Sequence, residues 1–354
     1  MANLVRYNAR DIVNDTSRIT TSTWTDNTNN LQTAFTSSLQ AVYGSATSSG
    51  AHFIEVYNKN PQVDTTAAKQ YAIAYGHRKG SGSLDFTNDT GAFGKSPSSN
   101  VYSQYRQIVF GDETSNFNFN GFTPDDIYII NVERARYKHN LKPATLDLRL
   151  SGSSAGPGIL HLTDDSITAS GSSVITNAGR QFNIVSGSLG VRSGSATTQV
   201  LNSGSYGLFY PDSGFIILNP AALDHNIPQL APNVTANTDG QNPQKLLHHI
   251  SGASDPDQAS GFTPHFIIDS EEKVSSQFYF TRATNTEFNY TTNPSFVDST
   301  GNLNFTSMID NPSTFITTVG LYNDEGDLVA VAKLSQPVAK DFTKEALIRV
   351  KLDY

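Results

Sequence analysis

The feature that most constrains this chain is a period of two. In ATLDLRLSG, Leu146, Leu148 and Leu150 point one way while Asp147 and Arg149 point the other. The last segment, ALIRVKLDY, repeats the arrangement with Ala346, Ile348, Val350 and Leu352 on one face. Such alternation belongs to a strand with one covered face; a helix would bring its apolar residues back every three to four positions. Two further pairs of apolar runs are joined by turn chemistry. YGLFYPDSGFIILNP turns at Pro211-Asp212-Ser213-Gly214, and TFITTVGLYN and DLVAVAKL flank Asp324-Glu325-Gly326. Both read as β-hairpins. In the second, one face has to be buried, because an isolated hairpin is marginal in water. Either Phe315, Val319 and Leu321 turn inward with Leu328, Ala330 and Leu334, or the opposite register buries Ile316, Val329 and Val331.

DDIYIINVERARY opens on Ile127, Tyr128, Ile129 and Ile130 without alternation, the pattern of a strand covered on both faces. SSQFYFTRA reads as a strand, as does AHFIEVYNKNP, where His52, Ile54 and Val56 oppose Phe53, Glu55 and Tyr57. Between residues 151 and 207, GILHLT, SVIT and FNIVSG read as short strands on Ser/Gly-rich turns. Helical stripes fall largely in the first 110 residues. TDNTNNLQTAFTSSLQAVYG aligns Leu31, Phe35, Leu39 and Val42, with Asp26 or Thr28 as cap and Gly44 as stop. DTTAAKQYAIAYG aligns Ala67, Tyr71 and Ala74 before Gly76. SSNVYSQYRQIVFG aligns Val101, Tyr105 and Ile108, with Ser98 or Ser99 as cap and Gly111 as stop. PQKLLHHISG is a short helix further on.

The sequence therefore predicts a mainly β protein with an α+β N-terminal part, built as a β-sandwich-like core with a small β-rich insertion. The expected segments are an N-terminal α+β domain (1–150), a Ser/Gly-rich β insertion (151–224), a linker or surface loop (225–264), and a C-terminal β domain (265–354) packing on the N-terminal part.

Composition narrows the function. Of 354 residues only 16% are charged, against about 25% in ordinary globular chains. The net charge is -8 and no Lys/Arg run occurs, so no nucleic-acid partner is expected. No apolar stretch approaches the roughly 20 residues that span a bilayer, so no membrane partner is expected. MANLVRYNARD has no apolar h-region, so no signal peptide is expected. Zero cysteines remove disulfides, thiolate nucleophiles and Cys-ligated zinc.

Candidate chemistry is sparse. Gly152-Ser153-Ser154-Ala155-Gly156 matches a nucleophile elbow, but Pro157-Gly158 follows where the elbow needs a helix, so it reads as a flexible turn. His161 with Asp164-Asp165 could be drawn as a metal or acid–base cluster, although TDDS is ordinary turn chemistry. His248 and His249 are adjacent, about 100° apart on a helix, and poorly placed to chelate one ion. Asn323-Asp324-Glu325-Gly326-Asp327 is too short for a calcium loop. GSGSLDF at 80–86 lacks the Lys-Ser/Thr ending of a phosphate loop. His77-Arg78-Lys79 is the densest basic spot and reads as a solvated loop. Tyr102, Tyr105 and Arg106 suit either an interface or packing, with packing favoured. Glu133, Glu287 and Glu345 are available as hydrolase carboxylates, yet nothing pairs any two. No catalytic, cofactor-binding or metal-ligating residue is expected, and no cofactor.

FYFTRATNTEFNYTTNPSFVDSTGNL and NPSTFITTVGLYNDEGDLVAVAKLSQPVAKDFTKEALIRVKLDY resemble the ending of virion structural proteins of contractile-tailed bacteriophages, T-even-like phages of marine cyanobacteria among them. TTVGLYNDEGDLVAVAKLSQPVAKDF is the most specific run, and IYIINVERARYKHNLKPATLDLRLSG and YGLFYPDSGFIILNPAAL look like further blocks of the same family. The resemblance implies a non-enzymatic particle component of the tail or baseplate, located in the virion after synthesis in the host cytoplasm. Its partners would be other phage structural proteins and copies of itself, through polar loops at 151–158, 226–245 and 284–302. A receptor-binding tail protein that takes a host glycan is the alternative.

Overall fold

The computed structural model describes residues 5–36, 53–83, 96–152, 158–168, 173–193, 204–234, 241–251, 265–290 and 295–354. The protein is mainly β, with 46% strand against 16% helix among the described residues, in large antiparallel sheets that include a curled half-barrel. In chain order the strands are β1 (Ile12–Ser22), β2 (Asn30–Leu31), β3 (Phe35–Thr36), β4 (Phe53–Tyr57), β5 (Lys69–His77), β6 (Asp126–Val132), β7 (Asn140–Leu141), β8 (Asp147–Ser151), β9 (Ile159–Asp164) and β10 (Val174–Thr176). They continue as β11 (Gly179–Ser188), β12 (Val191–Arg192), β13 (Gly207–Tyr210), β14 (Phe215–Leu218), β15 (Phe266–Ile267), β16 (Asp269–Ala283), β17 (Ser313–Tyr322), β18 (Leu328–Asp341) and β19 (Ala346–Asp353). The helices are α1 (Pro97–Phe110), α2 (Pro220–Asn226), α3 (Gln241–Ser251) and α4 (Ser307–Asp310). Two compact units result: Met1–Arg18 with Lys273–Tyr354, and Ile19–Glu272.

In the larger unit one antiparallel sheet runs β2-β15-β8-β9-β11-β13-β14-β6-β5-β4-β3, with β10 and β12 attached to β11. Its most deeply covered strand is β6, between β14 and β5. Ile127 and Ile129 face one way, among Leu208, Tyr210 and Ile217, under Tyr102, Tyr105 and Val109 of α1 and the rings of Phe117 and Phe119. Tyr128, Ile130 and Val132 face the other way, among Tyr71, Ile73, Phe209 and Ile216, under Leu223, Leu230, Leu246 and Ile250. The unbroken apolar run at 127–130 is thus explained. At roughly 1.5–3 kcal/mol per fully buried large side chain, this strand anchors the unit.

The expected insertion is not separate. β9, β11, β13 and β14 lie between β8 and β6 in sheet order, because their apolar cores, such as Leu162, Ile184 and Leu208, are needed to carry the sheet across. The described parts of the expected linker, 225–234 and 241–251, are not a linker either. Ile227, Leu230, Leu246 and Ile250 are buried in the main core, from a 3-10 turn and from α3, the helix expected at PQKLLHHISG. The polar interface loop expected at 226–245 therefore contributes core residues. Residues 1–18 join the C-terminal strands, so the N-terminal boundary falls far from 150.

The helix expected over 64–76 is strand β5. Tyr71, Ile73 and Tyr75 alternate with Ala72, Ala74 and Gly76, and aromatic and β-branched side chains on a pleated surface outweigh the helix preference of alanine. Gly76 is no helix stop. A Cβ there would lie 2.9 Å from the backbone nitrogen of Tyr102, so the glycine lets α1 settle on the strand. The first expected helix is also absent where the structure describes it. Asp26 and Asn27 sit at φ 68 and 57 in a tight turn closed by the Trp24 N–H to the Thr28 carbonyl at 2.9 Å. Asn30–Leu31 and Phe35–Thr36 are strands. Leu39, Val42 and Gly44 lie outside the described residues. The third helix is α1, which ends at Gly111 (φ 74). Its cap is Ser96 before Pro97 rather than Ser98 or Ser99, and its buried stripe is Tyr102, Tyr105 and Val109 in place of Val101, Tyr105 and Ile108.

In the smaller unit, β16 pairs with β19 from Ser276↔Asp353 to Ala283↔Ala346. The hairpin β17–β18 lies across one face of that pair. Val319 and Leu321 of β17, with Ala330 and Ala332 of β18, pack on Tyr7, Tyr279, Ile348, Val350 and Leu352. The first expected register therefore holds near the tip, with two exceptions. A bulge between Ile316 and Thr318 leaves Phe315 65% exposed. A second slip sets Leu328 opposite Tyr322, on the outer side. At the hairpin's base the fully buried Lys340 donates to Asn289 Oδ1 at 2.7 Å and to the carbonyls of Asp341 and Asn285 at 3.0 and 3.2 Å.

Two expectations follow for denaturant unfolding. Gly76→Ala pushes β5 from α1 and lowers stability by about 1–3 kcal/mol, as overpacking does. Val319→Asp buries an unpaired carboxylate and prevents recovery of folded protein, whereas Val331→Asp, at a site 56% exposed, leaves stability within about 0.5 kcal/mol of the parent.

Candidate functional site

A cluster of polar side chains beside a cleft in the larger unit sits on β8 and β9. These strands pair Leu148↔Leu162, Arg149↔His161 and Leu150↔Leu160. The leucines enter the core, so Asp147, Arg149 and His161 share the opposite face. Asp147 Oδ1 lies 3.0 Å from His161 Nδ1, and Asp147 Oδ2 accepts from Arg149 Nε at 3.2 Å. The Asp147 carboxylate is buried, while both partners keep about a third of their surface in water. A carboxylate can only accept, so His161 Nδ1–H donates to it and fixes the ring's orientation. Burial and then Arg149 pull the neighbouring His265 imidazole below its ordinary pKa.

His161 lines a cleft of about 510 Å³, with Ser186, Arg192, Ser193, Tyr206 and Asn226 on other walls. The wall from the β11–β12 hairpin depends on Gly187 (φ 151), where a Cβ would sit 2.2 Å from the Val191 carbonyl oxygen. Ser186 Oγ and Ser193 Oγ bond each other at 2.8 Å, and Asn226 Nδ2 donates to the Tyr206 hydroxyl at 2.5 Å. The arrangement offers an oriented imidazole and an amide, a phenol and a guanidinium along an open cleft. That suits hydrogen bonding to a neutral polar ligand. The two serine hydroxyls spend their bond on each other rather than on His161.

The other sequence candidates are dispersed. Asp164 accepts from the Ala144 N–H at 2.9 Å and from the Ser166 N–H, and Asp165 accepts from Asn183 N and Nδ2. Both carboxylates hold turns and leave His161 to Asp147. His249 is buried with Nδ1 2.8 Å from the Ser151 carbonyl, and His248 is exposed on another side of α3. Ser153, Ser154, Ala155 and Gly156 lie outside the described residues, as do Leu84, Asp85 and Phe86. The described part of the Gly-rich loop binds the start of α1: Ser96 Oγ donates to the Gly80 carbonyl at 2.6 Å and Ser98 Oγ to that of Ser81 at 2.9 Å. His77 Nδ1 accepts from Lys79 N, and Arg78 and Lys79 pair with Asp125. Tyr102 and Tyr105 are packed in the core, with Arg106 over the Tyr102 ring. Glu133 pairs with Lys69 at 2.7 Å, Glu287 caps its own turn at Thr284, and Glu345 is exposed. Asn323–Asp327 is the β17–β18 turn. Among the described residues no three His, Asp or Glu side chains gather to hold a metal ion. No described helix is long and apolar enough to cross a membrane.

One titratable group lay outside the sequence reading altogether. Asp126 opens β6 beside the Tyr75 hydroxyl, which donates to it at 3.4 Å. Burial pushes its carboxyl up to about 6, and Asp125 adds to the rise. The folded protein then holds a proton that the unfolded chain loses from about pH 4 upward, so this group's contribution to stability falls as pH rises through that window to about 6. Asp126→Asn removes the penalty. Urea unfolding of both proteins should show the variant more stable by up to about 3 kcal/mol at pH 7, with the gap closing toward pH 4.

No protein family, curated protein or solved structure matches the chain.

Proposed function

We propose that this protein is a structural subunit of a bacteriophage particle, in the contractile tail or baseplate, and that assembly is its activity. The reading rests on the family resemblance of the C-terminal blocks, and one structural observation carries it further. The run with the most specific resemblance, 317–342, forms the tip and one whole strand of the β17–β18 hairpin. Beside its tip that hairpin keeps Tyr322, Leu328, Val329 and Val331 in water. Exposed apolar side chains gathered in one place mark a surface that a partner covers. A subunit of this kind is made in the host cytoplasm and resides in the virion. It catalyses no reaction and contacts other phage structural proteins and copies of itself.

A second reading, receptor binding, draws on the cleft. His161, Arg192 and Asn226 beside Tyr206 are side chains that recognise hydroxyl-rich ligands, and a host glycan would be the ligand.

Mass spectrometry of purified virions, separated into heads and tails, tests the first reading. The protein is expected at several copies per tail. Its presence in infected lysate but never in particles would overturn the structural role, and its presence with heads would overturn the tail assignment. Specific retention on a glycan array, lost in Asn226→Ala, would favour receptor binding.

A further inference from the structure

The smaller unit carries two exposed surfaces of opposite character. The first is the face of β16–β19 that the hairpin leaves uncovered. Alternation sets Phe278, Phe280 and Arg282 of β16 beside Lys351, Arg349 and Leu347 of β19. Arg282, Leu347, Arg349 and Lys351 are exposed. The Arg349 guanidinium lies 5.4 Å from the centre of the Phe278 ring and Lys351 Nζ 5.9 Å from it. Lys351 also pairs with Asp353 at 2.9 Å, so on β16 and β19 this face carries three cations against one carboxylate. The second surface is the hairpin tip. Asp324, Glu325 and Asp327 are exposed there, and Tyr322, Leu328, Val329 and Val331 continue the tip as an apolar strip.

We propose that the tip of one copy seats on the basic, aromatic face of β16–β19 in a second copy. The proposal rests on the multi-copy reading and names the contact through which it acts. Charge decides the occupant: three carboxylates meet three cations, and the apolar strip meets Leu347, Phe278 and Phe280. Fold geometry decides that the contact is between copies. The hairpin's inner face covers the Tyr279 and Val350 side of the sheet, so tip and basic face lie on opposite sides of the same two strands. One copy cannot bring them together. A contact between different surfaces of identical chains is head-to-tail and closes into a ring or runs on as a filament.

Sedimentation velocity of the full chain tests this at low and high salt. At low salt the wild type is expected to self-associate, and high salt to weaken it, because the charged groups are exposed. Arg282→Glu with Arg349→Glu, and separately Asp324→Lys with Glu325→Lys, should each weaken association at least about tenfold, since both place like charges together. An equimolar mixture of the two variants should associate again, because each then offers a surface complementary to the other. That rescue also shows that both variants are folded. A wild type that stays monomeric, variants that associate like the wild type, or a mixture that does not associate would each overturn the contact. The multi-copy role is decided separately, by the protein's presence in particles.

Discussion

Burial of β6 on both faces is the constraint from which the larger unit follows. A strand carrying Ile127, Tyr128, Ile129 and Ile130 in succession cannot leave either side in water, so two coverings have to exist. α1 supplies one and the segment through α2 and α3 supplies the other. The coverings dictate smaller choices: glycine at 76 so that α1 can approach, and Asn219 as cap of α2, accepting from Ala221 N at 3.2 Å. Even the partly buried carboxyl of Asp126 is a consequence, because the same strand that needs two lids also carries an acid at its first position.

Strand identity was legible wherever residues alternated or formed an unbroken apolar run, as at 146–150, 127–130 and 346–352. It failed where small residues dominated. Ala72, Ala74 and Gly76 satisfy a helical stripe as readily as the narrow face of a strand, and only the helix packed on them decides between the two. The linker reading of 225–264 failed for a related reason. Its apolar residues fall in two short groups among polar and Pro-rich sequence, yet Ile227, Leu230, Leu246 and Ile250 fill holes in a core built by other strands. The cleft was half legible. Alternation placed Asp147 and Arg149 opposite the core leucines, and His161 was singled out, but its partner was sought three or four residues away in sequence. The partner stands on the adjacent strand, fourteen positions back, and cross-strand register is not written in either segment alone.

Several of the described acids hold turns rather than act at a distance. Asp212 grips Arg180 through its side chain and its N–H, and Asp112, Asp298 and Asp341 each accept from N–H groups two to four residues on. Hydrogen bonds from Ser115, Thr300 and Thr343 hold these last three carboxyls below their ordinary range. With these acids committed locally, the exposed acids of the β17–β18 turn and the exposed bases of β16–β19 are conspicuous. Their separation within one small unit gives that unit a polarity which neither its sequence composition nor its net charge reveals.

The single tryptophan has a spectroscopic consequence. Trp24 is buried against Tyr71 and Phe266, and its indole Nε1 donates to the Phe266 carbonyl at 2.7 Å. It therefore touches residues from opposite ends of the larger unit's sequence at the place where β2 meets β15. Its emission wavelength is an optical gauge of whether those two ends are joined, readable without any label and undisturbed by a second indole.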